Sequence, residues 1–501
     1  ATINKGLSSG ATGDTVYVRA GTYVQKWTFV KGKANRIVAF PGEKPIADFN
    51  FEKGPGIQDS GTTVDGFEIV NIVFKAFQVG GGQDKLVFRR NHMHDLFDDS
   101  VKENPSFVYF WDIGTSRYSN VIIQDNVFHD LYDRGSGLHG DTSANYHANS
   151  TTWYNVELSL YEDNEVYNID GGGMCDKDDG YKNTFRGNYF HDNYGGGLGL
   201  LNQYTQDGAE VAYNIFDSKD LKVGLQPGYL RNVDIHHNTF HQANIAYGWV
   251  LADSRCYNFI TRDNLFANLT TYPYSVHPDA TGKVLSASAV FDHNLIQTTS
   301  AYIFGYGWGQ IYIKFADWQT TYKKDLHSRL ADPLLIDPAN GDFRPASNSP
   351  ARGAASDGSD IGALPCLASA SDTFATWVVA NFTAAEQANA AISGPNADPD
   401  RCALTNLARY AFNLAARGRI ANPVTVGTST FGSTSYLTLT FPRRATATDL
   451  SYALESSTDL VTWTAVPDRT YTPGSSPITA QDAVALGSTP RRFLRLRITK
   501  P

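Results

Sequence analysis

The chain has 501 residues, of which 42% are hydrophobic and 19% charged, and its formal net charge is −9. The acidic balance argues against nucleic acid as a partner, because binding to a phosphate backbone needs a basic surface. No apolar run reaches the length of a membrane span, and the four cysteines form no CxxC pair, which argues against a zinc ribbon or a redox motif.

The first 23 residues, ATINKGLSSGATGDTVYVRAGTY, do not have the pattern of a signal peptide, and we expect that they begin a mature or trimmed chain. From residue 88 onward a short phrase recurs, polar-polar-Asn-x-apolar, as in FRRNHMHD (88–95) and FRGNYFHD (185–192). Its asparagines, called the marker asparagines below, are Asn91, Asn126, Asn164, Asn188, Asn214, Asn238, Asn264 and Asn294. A weaker copy lies at Asn71.

Several of the spacings between markers are close to 25 residues, which fits one coil of a parallel β-helix, with about three short strands joined by turns. Asparagine recurring at one turn predicts a ladder of side-chain amides along the stack. The longer gaps, from 91 to 126 and from 126 to 164, predict loops inserted in those coils, where they would shape a binding cleft.

The stretch GGGMCDKDDG (171–180) crowds four charges, Asp176 to Asp179, into consecutive positions. Residues at equal offset from the markers should stack in neighbouring coils, and residues two apart should share a strand face. An offset of 13 aligns His139 with Lys177, and an offset of 15 aligns Asp141 with Asp179. The predicted polar site consists of His139, Asp141, Lys177, Asp179, Asn202, Gln203, Asp253 and Arg255. The alternative is a polar column of turn-capping aspartates.

Two further stretches carry a resemblance to a known family. GDTVYVRAGTYVQKWTF (13–29) resembles the N-terminal coil of the chondroitinase B and alginate lyase family, and residues 331–365 resemble the last coil of many secreted bacterial β-helix proteins. With the repeats between them, the resemblance covers residues 1–365. It implies an all-β fold, a right-handed parallel β-helix of the pectate-lyase-like type, as the catalytic domain.

The stretch DKDDGYKNTFRGNYF (176–190) resembles the lysine strand of the same family. In that family a lysine is the base of β-elimination, an arginine assists, and calcium binds the uronate. The resemblance implies that Lys177 is the base. It also implies calcium ligands among Asp141, Asp170, Asp176 and Asp179, since calcium prefers oxygen donors. The family's Arg-His-Gly motif and paired glutamates are absent, and Arg255 and His139 are the candidates to replace them.

Two other functions stay open at this point. An inverting glycoside hydrolase on the same scaffold needs two carboxyl groups roughly 6.5–9.5 Å apart, which Asp141, Asp178 and Asp179 could supply. The motifs of polygalacturonase-like families are missing, however. A non-catalytic glycan-binding β-helix is the other alternative, and the clustered charge on successive coils argues against it.

After Pro365 the composition changes. Residues 366–423 have the pattern of a linker followed by helices, and residues 424–501 alternate like strands and predict a β-sandwich-like accessory domain. This tail resembles the C-terminal module of secreted polysaccharide-degrading proteins, including its calcium-loop-like entry ADPDGDGLTNL. Arg401, Cys402 and Ala403 replace the Gly-Asp-Gly of that entry, which argues against calcium there. Cys366 and Cys402 form a disulfide or are buried free thiols.

The resemblance implies a secreted or cell-surface bacterial enzyme, extracellular or periplasmic, whose partner is a polysaccharide. The preferred activity is lyase-type cleavage of an acidic polysaccharide, with calcium as the cofactor. Lys177, His139, Asp179 and Arg255 are the predicted catalytic residues. Substrate binding is assigned to Asp141, Asp178, Asn202, Gln203 and Asp253, and metal binding to Asp141, Asp170 and Asp176.

Overall fold

A computed structural model provides the fold. The residues that it describes are 2–33, 36–98, 104–111, 116–133, 148–201, 204–223, 229–247, 256–276, 288–306, 311–367, 372–431, 434–471 and 476–500. The chain divides into two compact units. The first consists of Ala1–Pro333, Ala354–Ser356 and Ile361–Ala363, and the second of Leu334–Gly353, Asp357–Asp360 and Leu364–Pro501. The first unit is a parallel β-helix whose coils each contribute strands to three sheets.

The first sheet contains the strands that come directly before the marker asparagines. Its neighbours pair in parallel and in register, for example Ile123 with Tyr161 and Tyr161 with Phe185. Its described strands are Thr15–Val18, Arg36–Ala39, Thr63–Asp65, Val87–Arg89, Tyr118–Ser119, Ile122–Gln124, Val156–Glu157, Leu160–Glu162, Gly180–Tyr181, Thr184–Arg186, Thr205–Asp207, Glu210–Ala212, Tyr229–His236, Cys256–Arg262 and Val290–Asp292.

The second sheet contains the strands that follow the markers. The apolar residue two positions after each marker faces inward, and Phe190, Phe216, Phe240 and Phe266 stack there with ring centroids 4.8–5.3 Å apart. Its described strands are Gly21–Val24, Pro45–Glu52, Glu68–Val73, His92–Met93, Leu96–Asp98, Val127–Asp133, Glu165–Ile169, Tyr189–Phe190, Ile215–Asp217, Thr239–His241, Leu265–Leu269, Leu295–Thr298 and Arg329–Leu330.

The third sheet completes each coil. Its strands pair in parallel except for the last two, Phe304–Tyr306 and Ile311–Ile313, which are antiparallel. The other described strands are Gly56–Ile57, Lys75–Gly80, Ser106–Trp111, Asn149–Tyr154, Gly172–Lys177, Gly196–Leu201, Leu221–Val223, Ile245–Tyr247 and Tyr274–Val276. All three sheets enclose one apolar core.

The marker asparagines form the predicted ladder at the turn between the first and second sheets. Each is buried. The Nδ2 of Asn164 donates to Oδ1 of Asn188 (3.0 Å), and the backbone N–H of Asn164 donates to the same oxygen (3.0 Å). The same pair of bonds links every successive marker from Asn91 to Asn294. The prediction of a further marker at Asn71 was wrong. On the coil before Asn91, the backbone N–H that donates to Asn91 Oδ1 belongs to Phe67 (3.1 Å).

Two short helices belong to the β-helix unit. Ile3–Ser9 begins after the N-cap Thr2 and buries Ile3 and Leu7 in the core. Phe315–Thr320 buries Trp318 in the same core. Among the described residues no helix is long and apolar enough to cross a membrane.

The second unit begins at Leu334, and the strands at residues 335–345 form an antiparallel pair. Its elements include the helices Phe374–Asn381, Ala384–Gln387, Ala390–Ser393 and Asn406–Ala411 and the 3₁₀ turn Pro338–Asn340. Its strands are Leu335–Asp337, Asp342–Pro345, Thr425–Phe431, Thr434–Phe441, Ser451–Ser457, Thr464–Tyr471, Ile478–Ala485 and Phe493–Thr499. The last six strands form two antiparallel sheets of three strands, which share a core with the helices.

The calcium-loop-like segment of the second unit is held by protein groups. Asp398 accepts the backbone N–H groups of Cys402 (3.1 Å) and Ala403 (2.7 Å). Asp400 Oδ2 lies 3.3 Å from Nη2 of Arg409, whose side chain is completely buried. Cys402 and Cys366 are free thiols, so the disulfide alternative does not apply.

Candidate active site

Lys177 lies at the end of the third-sheet strand Gly172–Lys177, with its side chain on the outer side of the sheet. Its neighbours in register on the adjacent coils are Tyr154 and Leu201. The Nζ of Lys177 donates to Oη of Tyr154 (3.3 Å) and lies 5.1 Å from the centre of the Tyr154 ring. Neighbouring coils are about 4.8 Å apart, so this lysine and tyrosine present their polar atoms at one place.

The Tyr154 hydroxyl is surrounded by further polar and aromatic groups. The Nδ2 of Asn104 donates to it (3.3 Å), and the Tyr109 ring lies 5.9 Å from the Tyr154 ring. Burial, together with the nearby Cys175 and Asp178, raises the pKa of Tyr154 to about 12. Burial also raises the pKa of Tyr109. Both phenols are therefore protonated at neutral pH.

Tyr109 connects Tyr154 to a second lysine. Lys75 Nζ lies 3.8 Å from the Tyr109 ring centre and 3.7 Å from that of Phe74, which are cation–π distances. Trp111 lies 6.1 Å from Tyr109 and is 39% exposed. We call the group formed by Lys75, Tyr109, Trp111, Tyr154 and Lys177 the aromatic face; within it Lys75 and Tyr109 are buried (3% and 6% exposed).

Asp176 lies on the opposite side of the strand from Lys177. Its side chain is fully enclosed in the interior, where Nδ2 of Asn183 donates to Oδ2 (3.0 Å) and Oδ1 has no hydrogen-bond partner. Burial raises the pKa of Asp176 to about 7. The side chains of Asp176 and Lys177 therefore do not share a face.

Asp178 and Asp179 form the turn after this strand. Asp178 has a left-handed backbone (φ 68°), and burial raises the pKa of its carboxyl group, whose Oδ1 has no hydrogen-bond partner. Asp179 Oδ1 accepts the backbone N–H of Thr205 (3.1 Å), and its Oδ2 lies 3.7 Å from Nη2 of Arg117. The four consecutive charges thus have different environments, and Lys177 is the one directed onto the aromatic face.

The predicted stacking of His139 on Lys177 was wrong. The residue in register with Lys177 on the preceding coil is Tyr154. The third-sheet strand after Asn126 is Asn149–Tyr154, which begins 23 residues after that marker, whereas Gly172–Lys177 begins 8 residues after Asn164. An equal offset from the two markers therefore does not reach equivalent positions in the two strands. Six of the predicted site residues lie outside the described residues: His139, Asp141, Asn202, Gln203, Asp253 and Arg255.

The predicted calcium ligands do not come together in the described part of the chain. Asp170 follows the second-sheet strand Glu165–Ile169, and its Oδ2 accepts the backbone N–H of Asp133 (2.9 Å). Asp176 is enclosed in the core, as described above. Among the described residues, the groups of three possible ligand atoms within 4.8 Å of one another contain neither aspartate. Asp170 and Asp176 belong to neither of these groups, and calcium binding and the role of Asp141 stay predictions.

The glycines of the GGG stretch are required by the stacking of coils. A Cβ atom on Gly171 would lie 2.0 Å from the carbonyl oxygen of Ala148, and one on Gly173 would lie 2.4 Å from that of Gly197. Packing against the neighbouring coils therefore accounts for Gly171 and Gly173.

Sequence reasoning missed a histidine cluster on the outer side of the second sheet. His92, His94 and His129 direct nitrogen atoms toward one another, all within 4.8 Å. The signal was present in the repeats FRRNHMHD and IQDNVFHD, where His-x-His places two imidazoles on one strand face. A second group, Asp292, His293 and His327, also meets this distance.

Comparison with known proteins supports the fold. A family model described as a right handed beta helix region matches residues 141–296. That family includes carbohydrate-active enzymes. No curated protein matches the chain. Together with the long parallel sheets, the match confirms the predicted fold class, an all-β right-handed parallel β-helix.

Proposed function

We propose that the protein is a polysaccharide lyase that cleaves an acidic polysaccharide by β-elimination on the aromatic face. The observation that carries the proposal is the pair formed by Lys177 Nζ and Tyr154 Oη, 3.3 Å apart. Elimination from a uronate needs a base for the C5 proton, a positive group beside the carboxylate, and a proton donor for the leaving oxygen at C4. A lysine–tyrosine pair offers the first and the last of these.

Lys177 takes the role of base. Tyr154 takes the role of acid, because its pKa of about 12 keeps the hydroxyl protonated at neutral pH. Both groups approach the sugar from the same side, since they belong to adjacent strands of one sheet. This arrangement favours uronates in which the C5 hydrogen and the C4 oxygen lie on the same side of the ring.

The rest of the aromatic face suits an anionic sugar chain. Asn104 supplies an amide at the Tyr154 hydroxyl, and the buried Lys75 ammonium group lies 3.8 Å from the centre of the Tyr109 ring. The half-exposed Trp111 indole provides a flat apolar surface for a pyranose ring. Asp141, Asn202, Gln203 and Asp253 stay predicted substrate ligands, and His139 and Arg255 predicted catalytic groups. A secreted bacterial origin belongs to the same proposal.

The test is a paired assay on a panel of acidic polysaccharides. Ultraviolet absorbance reports the C4–C5 double bond of an elimination product, and a reducing-end assay reports any cleavage. We expect both signals with the native chain, and loss of both with Lys177→Met. The matched control is Lys182→Met, because Lys182 also lies over a tyrosine ring, that of Tyr181 (5.1 Å), in the first sheet.

Full activity of Lys177→Met, with a melting temperature like that of the native chain, would refute the role of Lys177 as base. New reducing ends without the absorbance would refute β-elimination.

The second candidate function is glycoside hydrolysis, and Asp178 favours it. Its carboxyl group has a raised pKa and an oxygen without a hydrogen-bond partner, as a general acid requires. Lys177 is its immediate neighbour, so both functions would use the same end of the strand. Reducing ends without absorbance, abolished by Asp178→Asn, would establish this alternative.

A further inference from the structure

Three histidines from two adjacent coils meet on the outer side of the second sheet. His92 and His94 flank Met93, which is completely buried, so both imidazoles point outward. His129 lies on the next strand, and the register of that pair places it beside His94. The rings of His94 and His129 are stacked at 4.8 Å, and those of His92 and His129 are also 4.8 Å apart.

Two of these histidines are oriented by the aspartate that follows each of them. His94 Nδ1 lies 3.0 Å from Asp95 Oδ2, and His129 Nδ1 lies 2.8 Å from Asp130 Oδ2. A carboxylate accepts a hydrogen bond, so each Nδ1 carries the proton and each Nε2 presents a lone pair. Metal-binding histidines in proteins are held in the same way by a carboxylate at the other ring nitrogen.

The Nε2 atoms face one another. His92 Nε2 lies 2.6 Å from His129 Nε2, and His94 Nε2 is buried without a hydrogen-bond partner. Because His129 Nε2 has the lone pair, the proton between the first two nitrogens belongs to His92. A metal ion would replace that proton, and a small rotation of the rings would bring all three nitrogens to about 2.0–2.1 Å from it.

A fourth group is available on the preceding coil. Glu68 is in register with His92, and its Oε1 lies 3.5 Å from His94 Nε2. Imidazole ligands suit zinc, copper, nickel and cobalt, whereas calcium takes oxygen ligands. From this geometry we propose that His92, His94 and His129 bind one divalent transition-metal ion of the zinc class, with Glu68 as the fourth ligand. This site is independent of the proposed lyase activity.

The chain offers a matched control for the ligand set. His191 has the same pairing of Nδ1 with the following aspartate (Asp192 Oδ2, 2.8 Å), and its ring continues the stack through Tyr167. It does not belong to the group of converging nitrogens in the described structure. Replacing His191 thus changes the ring stack without removing a proposed ligand.

The experiment is a titration of the chelator-stripped full chain with cobalt(II), followed by its visible absorption, and with zinc(II), followed by the bound metal per chain. We expect one ion per chain and the strong bands of tetrahedral cobalt. His129→Gln and His94→Gln should each weaken binding more than about 100-fold, and Asp130→Asn about 10- to 100-fold. His191→Gln should bind like the native chain.

Lack of stoichiometric binding by the native chain would overturn the proposal. So would binding that survives both His129→Gln and His94→Gln but is lost in His327→Gln, because the ion would then lie at Asp292, His293 and His327. If His129→Gln does not fold, as judged by circular dichroism, His92→Gln and Glu68→Gln provide the same test.

Discussion

At the scale of single residues, one step along a strand separates two chemical environments. Asp176 lies in the dry interior with its carboxyl group enclosed, and Lys177 lies on the outer side within hydrogen-bonding distance of Tyr154. Side chains alternate across a strand, so four adjacent charges cannot all serve one site. The proposed chemistry depends on Lys177 and on its neighbours in space, which come from other coils.

Tyr154→Phe removes the proposed acid and leaves the ring. We expect kcat to fall by about 10²- to 10⁴-fold, the usual contribution of a positioned proton donor, with a smaller change in KM. The measurement is the initial rate of ultraviolet absorbance on the best substrate of the panel. Tyr181→Phe is the control, since Tyr181 belongs to the first sheet. An unchanged kcat in Tyr154→Phe would remove this tyrosine from the mechanism.

Asp176→Asn should change how stability depends on pH. Burial raises the pKa of Asp176 from about 3.8 to about 7 in the folded chain. The stability that this group contributes is complete below the unfolded pKa and is lost as pH rises toward the folded pKa. The loss is about 4 kcal/mol at pH 8. Asparagine has no such loss, so the variant should gain stability at pH 8 and change little at pH 4.

Thermal melting of Asp176→Asn and the native chain at pH 4, 6 and 8 checks this expectation. Asp179→Asn is the control, because Asp179 is partly exposed and paired with Arg117. An equal difference in melting temperature between Asp176→Asn and the native chain at all three pH values would contradict the assigned pKa.

At the scale of elements, the asparagine ladder stabilises the turn between the first and second sheets. Asn188 accepts the N–H of Asn164 and donates to Oδ1 of Asn214 and to the carbonyl oxygen of Tyr161. These bonds satisfy buried backbone groups that the sheets leave unpaired. The ladder explains why the sequence repeats this residue when the others in the phrase vary.

Asn188→Ala should therefore destabilise the β-helix unit by about 2–5 kcal/mol, since it removes the oxygen that accepts the buried backbone N–H and the Nδ2 group of Asn164. The check is chemical denaturation followed by circular dichroism. Asn232→Ala is the comparison, because Asn232 forms its hydrogen bonds with Asp207 and Asn258 at exposed positions. Equal effects of the two substitutions would contradict the role of the ladder.

The ladder could be predicted from sequence because one residue type marks one turn of every coil. The asparagines can be recognised whatever the length of the loops between them. The residues that neighbour Lys177 on the adjacent coils could not be predicted in this way. The gap from Asn126 to Asn164 has an insertion, and the sequence does not say on which side of the strand the extra residues lie. In the structure the strand Asn149–Tyr154 pairs with Gly172–Lys177, and Tyr154 is the residue in register with Lys177. The sequence gives no separate signal for His94 and His129, because their His-Asp pairs are part of the repeated phrase itself.

At the scale of the whole β-helix unit, each coil is stabilised by the coils beside it, so the ends of the stack need separate closure. At the N-terminal end the helix Ile3–Ser9 buries Ile3 and Leu7. At the other end Trp318 is completely buried, stacks on Phe304 (4.8 Å), and donates from Nε1 to Asp325 Oδ2 (2.7 Å). Asp325 Oδ1 in turn accepts a hydrogen bond from Nδ2 of Asn294, the last marker asparagine (2.9 Å).

Trp318→Ala should thus destabilise the C-terminal coils of the β-helix more than the N-terminal coils. We expect a loss of about 3–5 kcal/mol from the cavity, and Asp325 also loses one of its hydrogen-bond donors. In a stack with nearest-neighbour coupling, the effect declines with distance from the changed end. Hydrogen exchange followed by mass spectrometry should show faster exchange in residues 288–306 than in the native chain, with residues 63–98 unchanged. Uniformly faster exchange in both segments would mean that the unit opens as a whole and that Trp318 does not act as a local closure.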